Sequence, residues 1–302
     1  MNAQASTSSR MRAVFSSREV TRLIIQLAGR LPRSTGRAAA RQIGRWFSQF
    51  HRAEPVKAVR ANQQMVANFS LSPRELNLKT AAVFAHAGEC LFDNYHFINH
   101  PHEAQEVVDL SPGFEEIIER SLSHRKACIL GVIHTSNFDL AGQAAIRRGM
   151  EIQVLSVANP NGAYQEQNRL RTDRGFIITP ASNEALRQAA RRLQSGGVVA
   201  FGIDRPFPEG SFRPQFFGRP AALPVAHVRM ALRFGAPVYV IGCRKLENNR
   251  YELHASAPFE MVRKDDPIEE VLYNAERILA EAQTWILSAP EQWAMFFPVW
   301  PQ

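Results

Sequence analysis

Residues 127–149 read ACILGVIHTSNFDLAGQAAIRRG, and this stretch carries an apolar, β-branched run straight into a polar turn and then into a helix-like pattern. The run Ala127 to Ile133 predicts a buried strand. Thr135, Ser136 and Asn137 are residue types that cap helix N-termini, and Gly149 is a stop for the helix that follows. His134 therefore sits at a strand end and Asp139 in the first helical turn. On a regular helix, five positions would separate the two side chains by about 140°, so they can meet only because the turn lies between them. A histidine delivered this way can act as a base whose tautomer and charge a carboxylate fixes. On spacing alone, the same residues equally read as a cap and a first-turn acid placed by the helix dipole.

Outward from this stretch, strand and helix alternate. Helix Phe114 to Leu122 precedes it. Strand Ile152 to Val157, helix Tyr164 to Thr172, strand Phe176 to Thr179, helix Asn183 to Leu193 and strand Val198 to Ile203 follow. Then come helix Val225 to Phe234, strand Val238 to Cys243, a turn at Glu247-Asn248-Asn249, strand Tyr251 to Ala255, and a long helix from Asp266-Pro267 to Leu287. This alternation predicts an α/β fold with a mostly parallel central sheet flanked by helices. Open sheets of that kind place ligands beyond the carboxyl ends of their strands, where His134 is expected. No P-loop, G-x-S-x-G elbow or G-x-G-x-x-G occurs.

The N-terminal third differs. Residues 1–17 read as a disordered tail, and residues 18–106 as a helical region, basic and membrane-facing in its first half, ahead of an α/β domain from 107 to 302. Arg18 to Arg30 is amphipathic. Gly36 to Phe50 sets Ile43, Trp46, Phe47 and Phe50 on one stripe, with Arg37, Arg41, Arg45 and Arg52 supplying charge, a composition suited to a membrane interface or to packing on the body. Two further helices, Pro55 to Phe69 and Pro73 to Ile98, complete the region, the second opened by the capping box Ser72-Pro73-Arg74-Glu75. Residues 1–60 hold twelve Lys and Arg against two Glu, a balance of +10 that leaves −2 for the rest of a chain whose net charge is +8. Such an end docks on a polyanion, either anionic lipid or nucleic acid.

No apolar run reaches the roughly 18 to 20 residues that cross a bilayer, so if the protein meets a membrane it lies on it rather than through it. Cys90, Cys128 and Cys243 are odd in number and far apart, which excludes a disulfide framework and favours a reducing compartment. His86, His96, His100 and His102 match no metalloprotease or zinc spacing, and no metal site is expected.

Two other blocks bear chemistry. Arg169, Arg171 and Arg174 crowd guanidinium groups ahead of a strand, a grouping suited to phosphate and equally to a solvated helix face. Residues 203–213, IDRPFPEGSFR, leave a buried strand and enter a loop stiffened by Pro206, Pro208 and Gly210 that holds Asp204, Arg205, Glu209 and Arg213.

Taken together, these blocks resemble the lysophospholipid acyltransferase superfamily, and within it the bacterial lipid A and phosphatidylinositol mannoside acyltransferase branch. His134 to Asp139 resembles its H-x-x-x-x-D block, with Ser136 where the family has a small Gly. Arg171 and Gly175 resemble its acceptor-binding R-x-x-x-G, and Phe207 to Gly210 its F-P-E-G. Gln215 to Pro220, Gly235 to Pro237 and Pro290 to Trp300 resemble its F-F-G, G-A-P and P-E-x-W segments. The resemblance implies transfer of a fatty acyl chain from acyl-CoA or acyl carrier protein, as co-substrate and with no cofactor, to a hydroxyl of a (glyco)phospholipid or glycolipid. It implies His134 as general base, with Asp139 or Glu209 orienting it. Backbone N–H groups after His134, or Arg171, would hold the oxyanion. Asn137, Arg171, Arg174 and Arg205 would bind substrate. The expected place is the cytoplasmic face of the cell membrane, peripherally, with no transmembrane helix and no nucleic-acid partner. A basic nucleic-acid-binding protein and a lipid esterase using the same dyad on water are the alternatives.

Overall fold

The computed structural model describes residues 18–160 and 162–300; the expected disordered tail, 1–17, lies outside them. Four helices open the described chain: α1 (Arg18–Arg30), α2 (Arg33–Phe47), α3 (Glu54–Val66) and α4 (Pro73–Asn99). After a short α5 (Glu103–Glu106) the α/β part runs through β1 (Val108–Leu110), α6 (Pro112–Ser123), β2 (Cys128–Val132), α7 (Phe138–Arg147), β3 (Ile152–Ser156), α8 (Gly162–Asp173), β4 (Ile177–Pro180), α9 (Asn183–Gln194) and β5 (Val198–Gly202). It ends with β6 (Gln215–Phe216), β7 (Arg219–Pro220), α10 (Ala226–Phe234), β8 (Val238–Lys245), β9 (Tyr251–Ala255), α11 (Pro267–Ser288) and a 3₁₀ turn, Pro290–Gln292. The expected capping boxes and stops are in place: Ser72 and Glu75 cap each other's backbone at α4, and Gly235 closes α10 at φ 62°. The three-residue β1 was not expected, being too short to show a period.

The seven-stranded sheet has the order β1-β9-β8-β2-β5-β3-β4, parallel except where β8 meets β9. The α/β architecture expected from the alternation is therefore the one observed. Both faces are buried, so β2 (CILGV) and β5 (VVAFG) carry no polar side chain apart from the Cys128 thiol. Ile129, Val199, Phe201, Val238 and Val240 face a core shared with α9, α10 and α11, while Cys128, Leu130, Val198, Ala200 and Ile241 face one shared with α6 and α7. β2 lies at the centre, with β5 on one side and β8 on the other.

The N-terminal helices pack on this body rather than standing apart. α2 and α4 approach so closely that a Cβ on Gly44 would lie 2.1 Å from the Phe84 carbonyl oxygen, and one on Gly88 2.5 Å from that of Ala40; only glycine permits the crossing. Asn62 of α3 donates to the carbonyls of Met295 and Phe297 at 3.0 and 2.9 Å, tying the two ends of the chain together.

Candidate active site

β2 and β5 are parallel neighbours in register, Val132 opposite Gly202. Two residues past each strand end stand His134 and Asp204, so the equal offset brings them face to face. His134 Nδ1 lies 2.5 Å from Asp204 Oδ1, and the His134 main-chain N–H donates to Oδ2 at 2.8 Å. The Trp293 indole N–H donates to the same Oδ2, also at 2.8 Å. Asp204 is fully buried, whereas the His134 side chain is 21% exposed. Burial alone would raise the Asp204 carboxyl. The charge of His134 and the bonds from its ring, its backbone and Trp293 outweigh that and hold it below the usual carboxylate range. With Nδ1 committed, Nε2 is the nitrogen left for chemistry.

The ring is held on other sides too. Phe138 meets it edge-on, with ring centroids 5.1 Å apart, and Gly202 passes so near that a Cβ there would sit 3.0 Å from His134 Cε1. The turn after His134 is pinned by the closing segment of the chain: Ala294 N–H donates to the His134 carbonyl at 2.9 Å, and Ser136 N–H to that of Gln292 at 2.7 Å. Ser136 adopts φ 48°, a left-handed conformation that glycine takes up more readily, and its hydroxyl is held 3.1 Å from His86 Nε2. Burial, then the charge of Lys245, push that His86 down to about 4, so it stays neutral here.

Several sequence expectations are corrected by this geometry. The carboxylate beside His134 is Asp204, and neither Asp139 nor Glu209. Asp139 instead takes a two-pronged bond from Arg171, Nε to Oδ1 at 2.7 Å and Nη2 to Oδ2 at 2.8 Å. A helical first turn points Asp139 toward α8, away from the strand end. Glu209 is exposed on the loop. Of the backbone donors expected to hold the oxyanion after His134, two are bonded within the protein: Thr135 N–H to the Ile133 carbonyl and Ser136 N–H to that of Gln292. Asn137 caps α7, accepting from Leu140 N–H at 3.3 Å and donating to the Cys90 carbonyl at 3.0 Å. Arg174 grips Asn94, its side-chain oxygen at 2.9 Å and its carbonyl at 3.0 Å. On Arg171, burial pulls the guanidinium down but Asp139 more than restores it, leaving it raised. On Arg174, burial prevails and lowers it.

Arg205 is different. Among the described residues it meets no carboxylate; its guanidinium lies over the rings of Phe297 and Tyr164, 4.3 and 5.3 Å from their centroids. It therefore presents uncommitted N–H donors one residue from Asp204. Phe217 and Gly218, both at positive φ (51° and 70°), turn the β6–β7 hairpin and stack its aromatics against Trp293 and Trp300. Trp293 is the site residue that spacing could not assign. Its signal in the sequence was its place in the closing P-E-x-W segment, which gives it no partner.

The family model for bacterial lipid A biosynthesis acyltransferases matches residues 20–302. The chain belongs to this family. It is also 25% identical over 150 residues to the phosphatidylinositol mannoside acyltransferase of Mycobacterium tuberculosis (strain ATCC 25618 / H37Rv), a match covering 48% of this chain and 47% of that protein. The same enzyme from strain CDC 1551 / Oshkosh matches to the same extent. The match thus spans about half the length of these curated relatives. In this acyltransferase family member, none of the described helices is long and apolar enough to cross a membrane.

Proposed function

We propose that the protein moves a fatty acyl chain from acyl-CoA or acyl carrier protein to a hydroxyl of a (glyco)phospholipid or glycolipid, with His134 as general base. The observation that carries this reading is the His134–Asp204 pair at the carboxyl ends of adjacent strands. Asp204 fixes the proton on Nδ1, and Nε2 then takes the proton of the acceptor hydroxyl as its oxygen attacks the thioester carbonyl carbon. The C–S bond breaks, and the thiolate leaves with a proton returned by the imidazolium. No covalent acyl-enzyme is required. Arg205, free of carboxylates and braced between two aromatic rings, is the group best suited to bind the acceptor's anionic headgroup. Arg171 and Arg174 act instead by holding α8 in place.

The protein works, on this proposal, at the cytoplasmic face of the cell membrane. Leu23 and Leu27 on α1, Leu31 just past it, and Ile43 and Trp46 on α2 are between 42% and 64% exposed, and Arg22, Arg30, Arg45 and Arg52 are exposed with them. An apolar stripe beside arginines is the surface of an interfacial helix. Arg37 and Arg41, expected on that outer side, turn inward to acids of α4. Liposome flotation beside a DNA filter assay separates this reading from nucleic-acid binding: it expects flotation with anionic vesicles and no retention of DNA. For the chemistry, His134→Ala should abolish acyl transfer with an unchanged melting temperature, and an active variant would end the proposal. Release of free fatty acid without an acceptor would move the assignment to an esterase.

A further inference from the structure

The inward arginines form a second charged centre. Arg33, Arg37 and Arg41 recur every four residues along α2 and so share one face. They reach Glu89 and Asp93, themselves four apart on α4 and almost fully buried, at 3% and 0% exposure. Arg33 grips Asp93 with Nε at 3.1 Å and Nη2 at 2.9 Å, and Arg41 Nε donates to Glu89 at 2.6 Å. Lys245, from the end of β8, donates to Glu89 at 2.7 Å, and the Tyr251 hydroxyl donates to Asp93 at 2.7 Å. Arg37 lies between the acids, 3.7 Å from Glu89 and 3.6 Å from Asp93.

Four cations thus share two carboxylates, and a surplus of two positive charges remains. Among the described residues, Nη1 of Arg33 and of Arg41 makes no hydrogen bond, while Nη1 of Arg37 faces Asp93 Oδ2 at 3.6 Å. These side chains line a concavity of about 490 Å³ together with Ala38 and the turn residues Asn248 and Asn249. The turn braces the arginines: Asn249 accepts from Arg33 through its carbonyl at 3.0 Å and from Arg37 through its side chain at 2.9 Å. Partly desolvated cations in excess, with N–H donors left over and a small-ligand-sized opening before them, are built for an anion.

We propose that this concavity binds a phosphate group, the same chemistry whether the phosphate belongs to a phospholipid headgroup or to the nucleotide part of an acyl carrier such as CoA. The centre is wired to the His134 loop. Cys90, beside Glu89, accepts from Asn137, and the Lys245 backbone is bonded twice to Gln292, whose carbonyl holds Ser136. The binding itself does not depend on the acyl-transfer reading.

Titration calorimetry on the full chain tests it, with inorganic pyrophosphate, CoA, and phosphatidylcholine vesicles with and without phosphatidylinositol as probes. Ala38→Glu places a carboxylate in the concavity at an exposed helical position and replaces no member of the ion pairs. Gln42→Glu makes the same charge change at an exposed position off the concavity. Pyrophosphate should bind the native protein, and Ala38→Glu should weaken it roughly tenfold or more, about 1.4 kcal/mol. Gln42→Glu and Arg205→Gln should leave it unchanged. Weakening of CoA but not of the vesicles by Ala38→Glu names the carrier as the source, and the converse names the headgroup. Absent pyrophosphate binding, equal loss in both Glu variants, or loss only in Arg205→Gln overturns the site. His134→Ala should bind pyrophosphate normally, so the two proposals fail separately.

Discussion

Replacing Asp204 by Asn tests the proposed base most directly, because the geometry dictates which way the amide must face. Oδ2 receives two N–H donors, from the His134 backbone and from Trp293. An Asn NH₂ group on that side would oppose both, so the amide oxygen takes it and the NH₂ falls opposite His134 Nδ1. Nδ1 must then become the acceptor, and the ring proton moves to Nε2, the very nitrogen that should receive the acceptor's proton. The fold keeps three bonds at this position, one of them reversed, and loses only the charge that strengthens them, so the stability cost should be about 1–3 kcal/mol. The catalytic cost should be far larger. In a serine protease the comparable change costs on the order of 10⁴ in turnover, and here a loss of roughly 10³–10⁴, or about 4–5.5 kcal/mol of barrier, is expected. Transfer of a labelled acyl chain at saturating substrate, from pH 6 to 9, beside thermal melts, measures both. A variant within tenfold of the native rate would refute the reasoning. So would recovery at high pH, since a neutral imidazole in the wrong tautomer has no accessible proton to lose.

Gly202→Ala adds a methyl 3.0 Å from His134 Cε1; turnover should fall on the order of ten- to a hundredfold through misplacement of the ring, while the melting temperature barely moves. Removing either half of the Asp139–Arg171 pair should cost about 3 kcal/mol of stability, and the double variant less than the sum. A rise in acceptor KM from Arg171→Ala with unchanged stability would instead return Arg171 to substrate binding. His227 is buried with neither ring nitrogen bonded among the described residues, and burial pushes it down to about 3. Its folded value lies below the unfolded one, so the unfolded chain takes up the proton first, and stability falls as pH drops from about 6.5 toward 3. His227→Leu should therefore gain about 2 kcal/mol at pH 5 relative to native, read from denaturant midpoints, with a smaller gain at pH 8. An equal gain at both values would show that titration is not involved.

What could be read without coordinates was local. The strand-turn-helix at Ala127 to Gly149, the capping box at Ser72, the stop at Gly235 and the alternation behind the parallel sheet all follow from periodicities and caps a few residues long. The placement of His134 at a strand end belongs with them. Its partner does not. Asp204 lies seventy positions away, and only the strand order, which seats β5 beside β2 although β3 and β4 intervene in the chain, sets the two loops side by side at equal offset. Spacing offered Asp139 because it was near in sequence, but a helical first turn carries that carboxylate toward α8, where Arg171 waits. Long arginine side chains obey the same rule. Arg37 and Arg41 looked like surface charge from their own helix, yet the close crossing at Gly44 and Gly88 brings Glu89 and Asp93 within reach. A buried carboxylate must find a cation, and which one it finds is decided by packing, which no short window of sequence contains.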